Sequence, residues 1–132
     1  MLFWEQPRLW VPYRGGLIET LLEVAYLSNV GIEINAFCMP VPSVVRQFAQ
    51  SFKFDPLRMI SSGTLVATVS AEKQEDASQA LKDIAITFAD VGRVIDGEGV
   101  RVIQNGSVVH YKDIHCEDDE LTRVWATYTP DQ

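Results

Sequence analysis

No stretch of this 132-residue sequence is apolar for the roughly 20 residues that a helix needs to span a bilayer, and the opening MLFWEQPRLW lacks the basic flank and small-residue cleavage site of a secretory signal. No membrane partner is expected, and the cytoplasm is the default compartment. Cysteine is scarce: Cys38 and Cys116 stand far apart and outside any CxxC spacing, which excludes a disulfide scaffold and a paired-thiol zinc site. They read as reduced, part-buried thiols, with a single bridge between them left open. Positive charge is scarce too, with eleven Lys and Arg against eighteen Asp and Glu for a net charge of −7. The cations are scattered, so a phosphate backbone would be repelled and nucleic acid is not an expected partner. Internal repeats and low-complexity tracts are missing. What remains is 47% hydrophobic and 22% charged residues in a length that supports one domain with a real core.

Periodicity predicts the order α-β-α-β-α-β-β-β-α. Residues 1–13 carry Phe3, Trp4 and Trp10 with two prolines and no clean period. Aromatics of that size are expected to pack on their own domain, a second copy or a neighbour, so the segment reads as a docking arm or linker. From Gly16 to Ser28, Leu17, Leu21, Val24 and Ala25 recur at helical spacing, with Glu19 in the first turn. Ile32 and Ile34 alternate with Glu33 and Asn35 in a strand, which the prolines at 40 and 42 stop. A second helix is expected from Pro42 or Ser43, with Val44, Val45, Phe48, Ala49 and Phe52 on its apolar side and an end at Asp55-Pro56. Thr64 to Val69 reads as a central strand covered on both faces. Ser70 is expected to cap a third helix that buries Ala77, Ala80, Leu81 and Ile84. Strands at Val91–Ile95, Val100–Gln104 and Ser107–Tyr111 follow, the last two joined by the hairpin signal Asn105-Gly106. A final helix from Asp118 or Asp119 is expected to bury Leu121, Val124, Trp125 and Tyr128.

Chemistry is harder to find. The double glycine Gly15-Gly16 stands at the mouth of the first helix, where unpaired backbone N–H groups and close approach could cradle an anion; an ordinary turn explains it as well. His110, His115 and Cys116 lie near Asp113, Glu117 and Asp118 without metal-ligand spacing and read as surface polar residues. Ser61 and Ser62 precede a strand rather than forming a strand-to-helix elbow, so they read as turn residues. Glu19 and Glu23, four apart, read as a solvated helix edge.

Taken in order, four pieces carry more than each alone. "RGGLIETLLEVAYLSNVGIEI", "MPVPSVVRQFAQSFKFDPLRMISSGTLVATV", the helix after them and "ADVGRVIDGEGVRVI" resemble the C-terminal domain of the aminoimidazole ribonucleotide (AIR) synthase-related, PurM-like superfamily. The details E-x-A-x-x-S-x-V-G, P-V, F-D-P-L and S-S-G-T-L look most like the hydrogenase-maturation, HypE-like branch. The likeness covers residues 14 to about 104, so residues 14–132 are taken as the domain.

The resemblance implies an α+β fold: a mixed or antiparallel sheet with helices packed on it, partly ferredoxin-like. It also implies that ATP binds between an N-terminal domain and this one. Carried over by position, Gly15 and Gly16 would border the phosphates or the phosphorylated substrate, and the turn Ser62-Gly63-Thr64 would face the same cleft. No catalytic residue and no metal ligand is assigned in this chain. Two departures stand out. Val11 and Tyr13 occupy the places of Asp and Thr in the family pattern D-x-T-x-G-G, and the N-terminal domain with its Mg-ATP ligands has no counterpart in 132 residues. The chain is therefore expected to be either a fragment or a solo domain, inactive alone and without cofactor, and to use Mg-ATP only when completed. The expected partners are an AIR synthase-type N-terminal domain or a second copy in a homo-oligomer. A non-catalytic binding or oligomerisation module is the other reading, and a small-molecule sensor a third.

Overall fold

The computed structural model describes residues 2–3, 8–12, 15–113 and 120–127. Its strands are β1 (Leu2–Phe3), β2 (Arg8–Trp10), β3 (Gly31–Asn35), β4 (Val66–Val69), β5 (Gly92–Ile95), β6 (Gly99–Gln104) and β7 (Ser107–Tyr111). The helices are α1 (Gly16–Ser28), α2 (Ser43–Phe52), α3 (Gln74–Asp83) and α4 (Glu120–Thr127). The strands form one mixed sheet in the order β2-β4-β1-β5-β3-β6-β7. β1 runs parallel to β4 and β5, and β3 to β6; the β2/β4, β3/β5 and β6/β7 pairs are antiparallel. This is the α+β architecture that the resemblance implies, with β1 and β2 preceding the order of elements that periodicity predicts. The described parts of the arm enter the chain's own sheet, and Trp10 packs against the core.

The core is the seam between α1 and one face of the sheet. Ile18, Leu21, Leu22, Val24 and Ala25 of α1 meet Ile32, Ile34, Val66, Val100 and Val102, all buried. Strand alternation sends Glu33, Arg93 and Arg101, which stand opposite one another in register, to the other face. Asn29 ends α1 in the left-handed region, its N–H donating to the carbonyls of Ala25 and Tyr26, a cap that Asn tolerates better than most residues. Among the described residues, no helix is long and apolar enough to cross a membrane.

Several expectations are corrected. α2 ends at Phe52 rather than at Asp55-Pro56, because Lys53 takes a left-handed conformation and Asp55 then folds a turn by accepting the Leu57 N–H. Only Ala49 of α2 is buried, while Phe48 and Phe52 stack in the open at 5.8 Å. β4 begins at Val66, buries Val66 and Thr68 on one face only, and leaves Leu65 exposed. A 3-10 turn at Ala71–Lys73 precedes α3, and Ser70 caps neither by its side chain. α3 buries none of its residues, and Ile84 just past it is exposed: Ala77, Ala80 and Leu81 are too few to compete with seven polar positions. α4 leaves Leu121 and Trp125 exposed and is held instead through buried Glu120, whose Arg123 partner also donates to the Lys53 carbonyl. Tyr128, Trp4, His115 and Cys116 lie outside the described residues. Cys38 is free and exposed rather than part-buried.

Candidate functional site

Both glycines at the mouth of α1 are in the left-handed region, Gly15 at φ 66° and Gly16 at φ 70°. Their use is close approach. A Cβ on Gly16 would lie 2.5 Å from the Met59 carbonyl oxygen and 2.8 Å from that of Leu57. With that space free, segment 57–59 lies across the first helical turn, and the Ile18 N–H donates to the Leu57 carbonyl at 3.1 Å. One of the helix's orphan donors is thereby satisfied from within the chain. The Thr20 hydroxyl donates to the Gly16 carbonyl at 3.0 Å. Glu19 folds back so that its carboxylate occupies the space a Gly15 side chain would take. Glu19 is 7% exposed, against the expectation of a solvated edge that its neighbour Glu23 does fulfil. A carboxylate there suits the positive end of the helix.

Two residues beyond Met59, the chain turns at Ser61–Thr64. The Thr64 N–H donates to the Ser61 carbonyl at 3.1 Å and the two hydroxyls share a hydrogen bond. Gly63 sits at φ 102° with open space around it, and Ser62, Gly63 and Thr64 are all exposed. The two candidate pieces are thus joined by one short segment, the glycine pair buried at its start and the hydroxyl-bearing turn in solvent at its end. Ser61 and Ser62 serve a turn, as expected.

Sequence reasoning missed the polar cluster on the face of the sheet opposite α1. Arg93 donates to Glu33 Oε1 from Nε at 3.1 Å and from Nη2 at 2.8 Å, while Arg101 approaches Oε2 at 3.4 Å. Beside them is a cavity of about 220 Å³ whose polar lining includes Asn35, Asp90 and Arg93. Asp90 accepts from the Gln74 amide at 2.9 Å. The alternation of Ile32-Glu33-Ile34 puts Glu33 on this face; only the register of β5 and β6 reveals its partners. Among the described residues, no three His, Cys, Asp or Glu converge as a metal site, and His110 is exposed. Val11, at the position of the motif aspartate, is 59% exposed, and Tyr13 lies outside the described residues.

A mixed sheet with α1 packed on one face, that helix entered through a left-handed glycine pair, defines an α+β domain class. The sequence places it further: residues 14–105 match the AIR synthase related protein, C-terminal domain, and the chain belongs to that family. It is similar to the carbamoyl dehydratase HypE of Azotobacter vinelandii, with 37% identity over 71 residues, 54% of this chain and 21% of that protein. It is similar to the thiamine-monophosphate kinase of Methanopyrus kandleri, with 33% identity over 90 residues, 68% of this chain and 28% of that one. The crystal structure of E. coli HypE superimposes with a TM-score of 0.75 at 28% identity, covering 88% of this chain and 36% of that one. The chain therefore spans between about a fifth and about a third of the length of these relatives.

Proposed function

We propose that this chain supplies one wall of a phosphate- and substrate-binding cleft in an ATP-dependent AIR synthase-related protein, completed by an N-terminal domain or a partner chain. The observation that carries the reading is membership of the family over residues 14–105 in a chain that spans only a fraction of its relatives. One of those relatives is a kinase and another a dehydratase. Phosphoryl transfer is catalysed mostly by positioning and by charge stabilisation, so half a cleft provides binding surface without turnover. In this reading the exposed Ser62 hydroxyl and the open backbone of Gly63 face the ligand, and the exposed Thr64 hydroxyl joins them by exchanging its bond to Ser61. Gly15 and Gly16 border it, and an anion at the start of α1 requires Glu19 to swing aside. Mg-ATP belongs to the completed cleft. The test is calorimetric titration of the chain with Mg-ATP and with inorganic phosphate. Gly16 is a poor site for the control variant, since a side chain there would disturb the fold; Ser62→Asp puts a charge on an exposed turn instead. Weak binding that disappears in Ser62→Asp supports the cleft, and absence of heat with both ligands refutes it.

The second reading is a non-catalytic binding or oligomerisation module, and two observations favour it: an apolar Val11 at the motif aspartate, and the Glu19 carboxylate against Gly15. Here a second copy of the chain is the partner. Both readings place the protein in the cytoplasm, which cell fractionation checks.

A further inference from the structure

β7 is the last strand of the sheet, and no described strand or helix pairs with its outer edge. Its sequence Ser107–Tyr111 holds no proline and no Asp, Glu, Lys or Arg, and its register with β6 runs from Gln104↔Ser107 to Val100↔Tyr111 without a bulge. These are the devices with which exposed edges are blunted, and β7 lacks them. The opposite edge, β2, has three residues and includes Arg8.

We propose that β7 pairs antiparallel with β7 of a second copy of this chain about a twofold axis at Val109. The turn Asn105-Gly106 has two residues, both at positive φ (50° and 75°). In such a hairpin the closing pair, Gln104 and Ser107, exchanges both backbone bonds, and bonded and non-bonded pairs then alternate. Ser107, Val109 and Tyr111 therefore direct their N–H and C=O groups at β6, and Val108 and His110 direct theirs outward. A twofold at Val109 sets Val108 opposite His110 of the partner subunit, and His110 opposite Val108 of the partner subunit. Among the described residues no strand pairs with the outward backbone groups of those two, so four N–H···O bonds close across the seam.

The side chains agree with that register. Val109 stands opposite Val102, which stands opposite Ile34, in a row on the α1 side. Ile34 and Val102 are at most 2% exposed, whereas Val109, at the end of the row, is 42% exposed. A twofold copy continues this row with its own Val109. Beyond the strand, Lys112 comes opposite Gly106 and Asp113 opposite Asn105 of the partner subunit, so no like charges meet although each chain carries −7. A seam of this size is small, and its dissociation is expected in the micromolar range. The inference names a surface for the self-association raised above and does not depend on the phosphate reading.

The test is light scattering of the whole chain at about 100 µM and on dilution, with His110→Pro and His110→Ala alongside. Proline at 110 removes an outward N–H and leaves the β6 ladder intact. The expected results are twice the chain mass for the parent and for His110→Ala, and the single mass for His110→Pro with unchanged circular dichroism. Hydrogen exchange of the unaltered chain gives a variant-free check: the Val108 and His110 amides slow by roughly tenfold or more as concentration rises through the dimer transition. A monomer at about 100 µM, or a dimer indifferent to proline at 110 with those two amides exchanging freely, overturns the edge pairing. The second outcome leaves self-association standing on another surface.

Discussion

Replacing Gly16 with Ala tests whether segment 57–59 lies against the first turn of α1. Two costs apply. An L residue at φ 70° costs roughly 1–2 kcal/mol. The added methyl would also stand 2.5 Å from the Met59 carbonyl oxygen and 2.8 Å from both the Arg58 carbonyl carbon and the Leu57 oxygen. These are backbone atoms that cannot rotate away, so an overpacking cost of about 1–3 kcal/mol is added. The sum, about 2–5 kcal/mol, is a substantial part of the roughly 7–20 kcal/mol expected for a domain of this length. Urea unfolding followed by circular dichroism should show the midpoint falling by about 1–3 M at an unchanged slope. Gly106→Ala is the internal control, because Gly106 has φ 75° with no atom within 4 Å of the added carbon. It carries the conformational cost alone, about 1–2 kcal/mol. If Gly16→Ala costs no more than Gly106→Ala, the close approach that explains the glycine pair does not exist.

Ile34→Ala, at a fully buried position between β5 and β6, should cost about 2–5 kcal/mol in the same assay. Trp125→Ala, at a side chain 78% exposed, should change stability by less than about 0.5 kcal/mol. The Glu98 carboxyl accepts a hydrogen bond from the Lys112 ammonium and feels its charge, which together hold it below the ordinary carboxylate range. In Lys112→Met its titration by NMR should move back up. Burial, reinforced by the Asp55 charge and opposed by Arg58, pushes the Tyr111 phenol up. A raised folded value means its contribution is complete below the unfolded phenol range, near pH 10, and is lost as pH rises through the folded value. Unfolding midpoints should therefore fall in that alkaline window, and the fall should be smaller in Tyr111→Phe.

α1 and the strands from β3 onward were legible because their signals are local. Ile32-Glu33-Ile34 alternates, Asn105-Gly106 demands a tight hairpin, and Leu21, Val24 and Ala25 recur at helical spacing. α1 is found at Gly16–Ser28, the span that its periodicity predicts. What failed was inference from an apolar stripe to burial. Leu81 and Trp125 look like core residues on a helical wheel, but among the described residues the core cluster takes α1, Met39 and Leu57, while α3 and α4 bury no apolar side chain. The two N-terminal strands were hidden by their shortness, since two or three residues carry no period. At the candidate site, the glycine pair was visible as a helix entry, but not what fills it: Met59 and Leu57 are more than forty residues away, and Glu19 looks like an ordinary first-turn acid. The Glu33, Arg93 and Arg101 cluster needed the register of three strands, which no single segment encodes.

Amide-resolved NMR titration of the chain with Mg-ATP tests the proposed cleft most directly, since it detects millimolar binding and locates it. The account predicts shifts concentrated at Ser62, Gly63 and Thr64 and at the first turn of α1, reproduced in part by inorganic phosphate and lost in Ser62→Asp. Saturating shifts elsewhere, or none up to about 10 mM, would contradict it and leave the chain as a module that works by assembly.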